Sequence, residues 1–65
     1  MIEYIARDES KLLYFHYTLP VKDESMEWWW SNDDAFELKS ENFPEFNNLS
    51  YNDEPVKVEI NIKRI

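Results

Sequence analysis

The 65-residue sequence contains no glycine and no cysteine, and only three prolines. Without cysteine there is neither a disulfide nor a thiolate site for zinc or an iron-sulfur cluster, which separates the chain from small secreted disulfide scaffolds. Without glycine, the phosphate-cradling loops of the Rossmann and Walker types cannot be written. Tight turns that need left-handed backbone then pass to Asn and Asp, the next most tolerant residues. Asp8-Glu9, Asn32-Asp33-Asp34, Asn47-Asn48 and Asn52-Asp53 are the expected turns. Cations are also scarce, with 7 Lys and Arg against 14 Asp and Glu and a formal charge of −7. So few cations cannot displace the counterions of a phosphate backbone, which argues against direct nucleic-acid binding and against anionic membrane surfaces. No apolar run approaches the roughly 20 residues of a membrane span, and no basic n-region and apolar h-region follow Met1. A cytoplasmic address is expected.

The length sets a single domain, residues 1–65, and a chain this short buries only about 60% of its unfolded surface. Its 11 aromatic residues are the main source of buried area in place of disulfides. Self-association is the other means of support.

Charge is sorted along the chain. Between residues 23 and 54 there are ten carboxylates and one cation, Lys39, a local charge of −9 against +2 for the remainder. Trp28, Trp29, Trp30, Phe36, Phe43, Phe46 and Tyr51 are studded through the same acidic stretch. Strands over residues 2–19 and 56–65 flank it.

Residues 2–6 and 11–19 are rich in aromatic and β-favouring types, with Arg7-Asp8-Glu9-Ser10 as a hairpin connection. Both alternating faces of 11–19 are apolar, as in a central strand, and Pro20 ends it. Val56, Val58, Ile60 and Ile62 alternate with Lys57, Glu59, Asn61 and Lys63, the period of a strand with one buried face. Residues 26–31 and 35–40 are expected to form a second hairpin turned by Asn32-Asp33-Asp34. A short helix capped by Asp23 and running to Trp30 is the competing reading. Residues 41–55 read as loop, with one helical turn after Pro44, pinned by Phe43, Phe46, Leu49 and Tyr51. The fold class expected is mainly β, a small antiparallel sheet of four or five strands with room for one short helix, and α+β as the alternative.

Catalysis finds little support. The one histidine, His16, lies within an apolar strand and reads as a hydrogen-bonded or edge residue. Paired carboxylates are abundant, but a chain of this size lacks the volume for a cleft that buries a sugar and raises one carboxyl pKa. Asn32-Asp33-Asp34 and Asn52-Asp53-Glu54 read as solvated turns rather than calcium loops, because the EF-hand glycine is missing. Asn48-Leu49-Ser50 fits a glycosylation sequon, which carries no weight without an export signal. No enzyme activity, metal or cofactor is expected.

The binding reading rests on two features. On a strand, Trp29 faces opposite to Trp28 and Trp30, so at least one indole has to leave the core face and is free to anchor a partner. The competing reading gives all three to the core or to covering a sheet edge. The carboxylates produce a one-signed field that focuses attraction toward cations and can imitate a row of phosphates. The expected partner-binding set is Glu27, Trp28, Trp29, Trp30, Asp33, Asp34, Glu37, Glu41, Glu45, Asp53 and Glu54, and the expected partner is a basic protein that handles DNA or RNA. In size, acidity and lack of catalytic machinery the chain is similar to small phage-encoded proteins that block restriction, CRISPR, polymerase or repair enzymes, a likeness of type without a shared motif. An immunity protein or antitoxin against a basic toxin is one alternative. A structural module that forms a homodimer through the Trp cluster and the C-terminal strand is the other.

Overall fold

Residues 2–59 are described by a computed structural model of the chain. Strands β1 (Ile2–Arg7), β2 (Leu13–His16), β3 (Val21–Asp23), β4 (Trp28–Trp30), β5 (Ala35–Leu38) and β6 (Val56–Glu59) follow in order, with two 3-10 turns, Ser40–Asn42 and Pro44–Phe46, before β6. The architecture is mainly β, as the alternation of apolar residues predicts. Four strands form an antiparallel sheet in the order β5-β2-β1-β6, and β3 and β4 form a separate two-stranded ribbon. No α-helix occurs among the described residues, so the helical reading of residues 23–30 is overturned in favour of a strand of three tryptophans.

The register explains the layers. Tyr4 lies opposite His16, Ile5 opposite Phe15 and Arg7 opposite Leu13, while Phe15 in turn faces Phe36 and Leu13 faces Leu38. One face of the sheet therefore carries Ile5, Arg7, Leu13, Phe15, Phe36 and Leu38. The other carries Tyr4, Ala6, Tyr14, His16, Ala35 and Glu37. β2 has apolar residues on both faces because it is flanked by β1 and β5, as expected of a central strand. It is shorter than the sequence suggests, since the chain bends at Tyr17 and Thr18. In β6, Val56 and Val58 turn inward and Lys57 and Glu59 outward, the expected alternation; its expected continuation over residues 60–65 lies outside the described residues.

Among the described residues Ile5, Ala6 and Leu13 form a small buried core, while nine large apolar side chains stay exposed. Polar staples make up for this. Arg7 Nε donates to Leu49 O at 2.7 Å, Nη2 to Phe46 O at 2.9 Å, and Nη1 to Lys11 O at 2.8 Å and Ser40 Oγ at 3.1 Å. One guanidinium fork thus ties the irregular segment 40–49 to the end of β1, aided by half-buried Phe43, Phe46 and Leu49. Arg7 was expected in the β1–β2 connection; it is the last residue of β1, and the turn is residues 8–11.

That turn shows how the chain manages without glycine. Lys11 N–H donates to Asp8 O and Asp8 N–H to Leu12 O, both at 2.9 Å, a three-residue hairpin loop whose last position is left-handed. Lys11 holds it at φ 76°, and Glu27 takes the same region at φ 59°. The expectation that Asn and Asp would take these positions is incorrect. Aspartate carboxylates cap turns from neighbouring positions instead, as Asp53 does by accepting from Ser50 N–H at 2.8 Å and Asp23 does below.

The expected pairing of residues 26–31 with 35–40 is also incorrect. β4 pairs with β3, placing Val21 opposite Trp30, Lys22 opposite Trp29 and Asp23 opposite Trp28. β5 pairs with β2 instead. The reason lies at Asp23, whose Oδ1 accepts from Ser25 N at 3.1 Å, Ser25 Oγ at 2.7 Å and Met26 N at 3.2 Å. This closes residues 24–27 into a turn and gives β4 a partner only a few residues upstream.

Candidate functional site

The tryptophan ribbon is docked on the sheet by its inward face. Trp29 N–H donates to Asp8 Oδ1 at 2.9 Å, its Nε1 to Tyr51 O at 3.1 Å, and Glu9 N–H to Glu27 O at 3.1 Å. Lys22, paired with Trp29 on the same face, lies 4.3 Å from the Tyr51 ring centre and donates to Asn52 Oδ1 at 3.2 Å. Trp29 is therefore a structural residue, half-buried and hydrogen-bonded at both nitrogens. By strand alternation Trp28 and Trp30 point the other way, 39% and 51% exposed, beside the more exposed Val21. This separates the three indoles into one staple and two partly exposed side chains at the mouth of a cleft.

Asp8, which anchors the ribbon, was expected only as a turn residue. Its carboxyl is buried, and desolvation pushes its pKa up, opposed by the Trp29 N–H. At the ribbon's turn, Asp23 is held below the ordinary carboxylate range, first by the Ser25 hydroxyl and then by the Met26 N–H. The Tyr51 hydroxyl is raised, first by partial burial and then by Glu24, Glu27, Glu9 and Asp23. Those four carboxylates therefore gather around Tyr51. Only Glu27 among them was in the expected set. Glu9 was missed because it comes from the β1–β2 turn, and only the backbone bond to Glu27 brings it to the ribbon.

The other expected residues do not converge on one patch. Asp33 and Asp34 follow the ribbon at the end of the sheet marked by His16 and Ala35, and Glu37 sits on the edge strand β5. Glu41 and Glu45 lie in the two 3-10 turns, and Asp53 and Glu54 precede β6. All eight expected acids are exposed. They form a negative surface distributed over several elements.

A cleft of about 190 Å³ lies between ribbon and sheet, lined by Tyr14, His16, the three tryptophans and Ser31 among others. His16 is 1% exposed, with Nδ1 2.9 Å from Ser31 Oγ. Ser31 Oγ also lies 3.2 Å from Asp33 O, to which its hydroxyl donates when the His16 proton is on Nδ1. Nε2 is buried without a partner, and burial lowers the His16 pKa. A larger open cleft, about 490 Å³, runs past Arg7, Asn47 and Asn52. Four of the five N–H donors of Arg7 are engaged there by three carbonyls and Ser40, which leaves little of its guanidinium for an anion.

Among the described residues no three His, Asp or Glu side chains gather where a metal ion could be held. No helix among them is long and apolar enough to cross a membrane. No family model, curated protein or solved structure matches this chain.

Proposed function

We propose that this chain is a small acidic inhibitor that docks onto a basic, nucleic-acid-handling protein, with its carboxylates in the places of phosphates and Trp28 and Trp30 as anchors. The observation that carries the reading is the partly exposed Trp28–Trp30 face of the β3–β4 ribbon. Trp28 and Trp30 line the cleft beside Tyr14 and His16 yet keep 39% and 51% of their surface exposed, while Trp29 between them is satisfied by the fold and exposed Glu27 adjoins them. Exposed large apolar groups rimmed by polar ones mark contact surfaces, and tryptophan is enriched among residues that dominate binding energy. The carboxylates supply long-range attraction, while the indoles supply short-range contact that tolerates salt.

The test is affinity capture from nuclease-treated bacterial lysate, washed at low and then high salt, with mass spectrometry of what is retained. The expected catch is dominated by one basic protein that handles DNA or RNA and is lost at high salt. Reversal of Glu27, Asp53 and Glu54 to Lys should weaken capture and flatten its salt dependence, and Trp28→Ser with Trp30→Ser should weaken it at every salt concentration. Capture unchanged by the reversals sinks charge mimicry.

A further inference from the structure

We infer that β5 is a self-association edge, through which a second copy of this chain extends the four-stranded sheet across a two-fold axis at Phe36. β5 is one border of the sheet, and no described strand pairs with its outer side. The opposite border, β6, begins after Pro55 and turns Lys57 and Glu59 outward, devices that discourage edge pairing. β5 has no proline. It carries Phe36, 49% exposed, in edge-to-face contact with Tyr17 at 5.7 Å, and Tyr17, 47% exposed, meets Phe15 at 5.3 Å. A row of aromatic rings thus crosses the sheet and stops at an unpaired strand.

The sequence around Phe36 selects the occupant. In an antiparallel pair, opposed residues share a face of the sheet, so a two-fold axis normal to the sheet must pass through a residue rather than between two. An axis at Glu37 opposes two carboxylates, and an axis at Ala35 opposes Asp33 to Glu37. An axis at Phe36 sets Phe36 against its own copy, Ala35 against Glu37, Asp34 against Leu38, and Asp33 against Lys39. Lys39 is the single cation in the acidic stretch 23–54, and this register places it opposite Asp33, twice by symmetry; an axis at Leu38 would place it opposite Glu37, but sets Phe36 against Ser40 and breaks the aromatic row. Like charges are avoided at every directly opposed pair. The four rings of Tyr17 and Phe36 from both copies become one continuous aromatic row.

This association is independent of the proposed partner binding and has the opposite salt response. Each copy carries −7, so screening by salt favours the dimer, whereas it weakens docking onto a basic partner. The experiment is sedimentation equilibrium of the full chain from micromolar to millimolar concentration at low and high salt. The mass should rise toward twice the monomer mass, at lower concentration in high salt. Phe36→Thr should abolish the rise. Asp33→Lys and Lys39→Asp should each shift the midpoint to at least tenfold higher concentration, and the double exchange Asp33→Lys with Lys39→Asp should restore it. Recovery in the double variant cannot come from misfolding of either single one. A monomeric mass throughout, a dimer that survives Phe36→Thr, or a double exchange no better than the singles would overturn the inference.

Discussion

Replacing Arg7 by Met keeps the aliphatic stem and removes the four hydrogen bonds that join the 40–49 segment and the β1–β2 turn to the sheet. A hydrogen bond from a charged donor contributes about 1.5–3 kcal/mol when fully buried. These are only partly buried and share one donor group, so they do not add in full, and a net loss of about 3 kcal/mol is the reasonable magnitude. A domain of this size without disulfides has a stability on the order of 3–5 kcal/mol. Arg7→Met should therefore leave only about 0–2 kcal/mol, between a few per cent and half of the protein unfolded at room temperature. Arg7→Lys should fall between, because an ammonium cannot span carbonyls that the planar fork reaches together. Urea unfolding followed by tryptophan fluorescence reads this directly, since Trp29 Nε1 bonds to Tyr51 O just beyond the stapled segment. With a slope of about 1 kcal/mol per molar urea, the midpoint should fall by roughly 3 M or the folded baseline should vanish. If Arg7→Met costs less than about 1 kcal/mol and Arg7→Lys nothing, the segment is held by Phe43, Phe46 and Leu49, and the staple account is refuted.

Three further outcomes check other parts of the account. Lys11→Gly should raise stability by about 0.5–1 kcal/mol, because φ 76° costs a residue with a Cβ more than glycine's added unfolded entropy; a destabilised variant would contradict the turn geometry. Trp29→Ala should cost about 3 kcal/mol while Trp28→Ala and Trp30→Ala cost about 1 kcal/mol or less each, measured by urea unfolding followed by circular dichroism; equal costs would mean that the three indoles are not divided as described. Because burial depresses the His16 pKa, the unfolded chain takes up a proton that the native chain refuses. That contribution is complete above about pH 6.5 and is lost as pH falls below it, with a slope of up to about 1.4 kcal/mol per pH unit. Asp8, raised by burial, acts in the opposite sense at lower pH, so the difference between the native sequence and His16→Gln isolates the histidine. Parallel pH profiles for the two would show that His16 titrates freely.

The strands with a clear period were legible in the sequence. β1, β2, β5 and β6 follow from alternation and β-branching, and the two apolar faces of β2 announce its central position. The helical turn after Pro44 appears as Pro44–Phe46, because a proline at the first position has the φ that a helical turn needs. β3 was not legible, since three residues after a proline carry no periodic signal, and its existence depends on the Asp23 carboxylate closing the next turn. Asp23 at a helix start and Asp23 at a hairpin turn look alike in sequence, because in both its side chain bonds backbone N–H groups two and three residues on. The site was half legible. Alternation foretold that Trp29 parts from Trp28 and Trp30, but its staple to Tyr51, the role of Asp8 and the approach of Glu9 all join residues distant in sequence. The distribution of acids over several elements, rather than one patch, was hidden for the same reason.

The most direct test of charge mimicry is competition at equilibrium. The basic protein retained in the capture experiment would be bound to a labelled nucleic acid of the kind it handles, and this chain titrated in at fixed low salt. The account predicts full displacement of the nucleic acid, with the amount of chain required rising steeply when Glu27, Asp53 and Glu54 are reversed. A stable ternary complex, with the nucleic acid and this chain bound together, would contradict it.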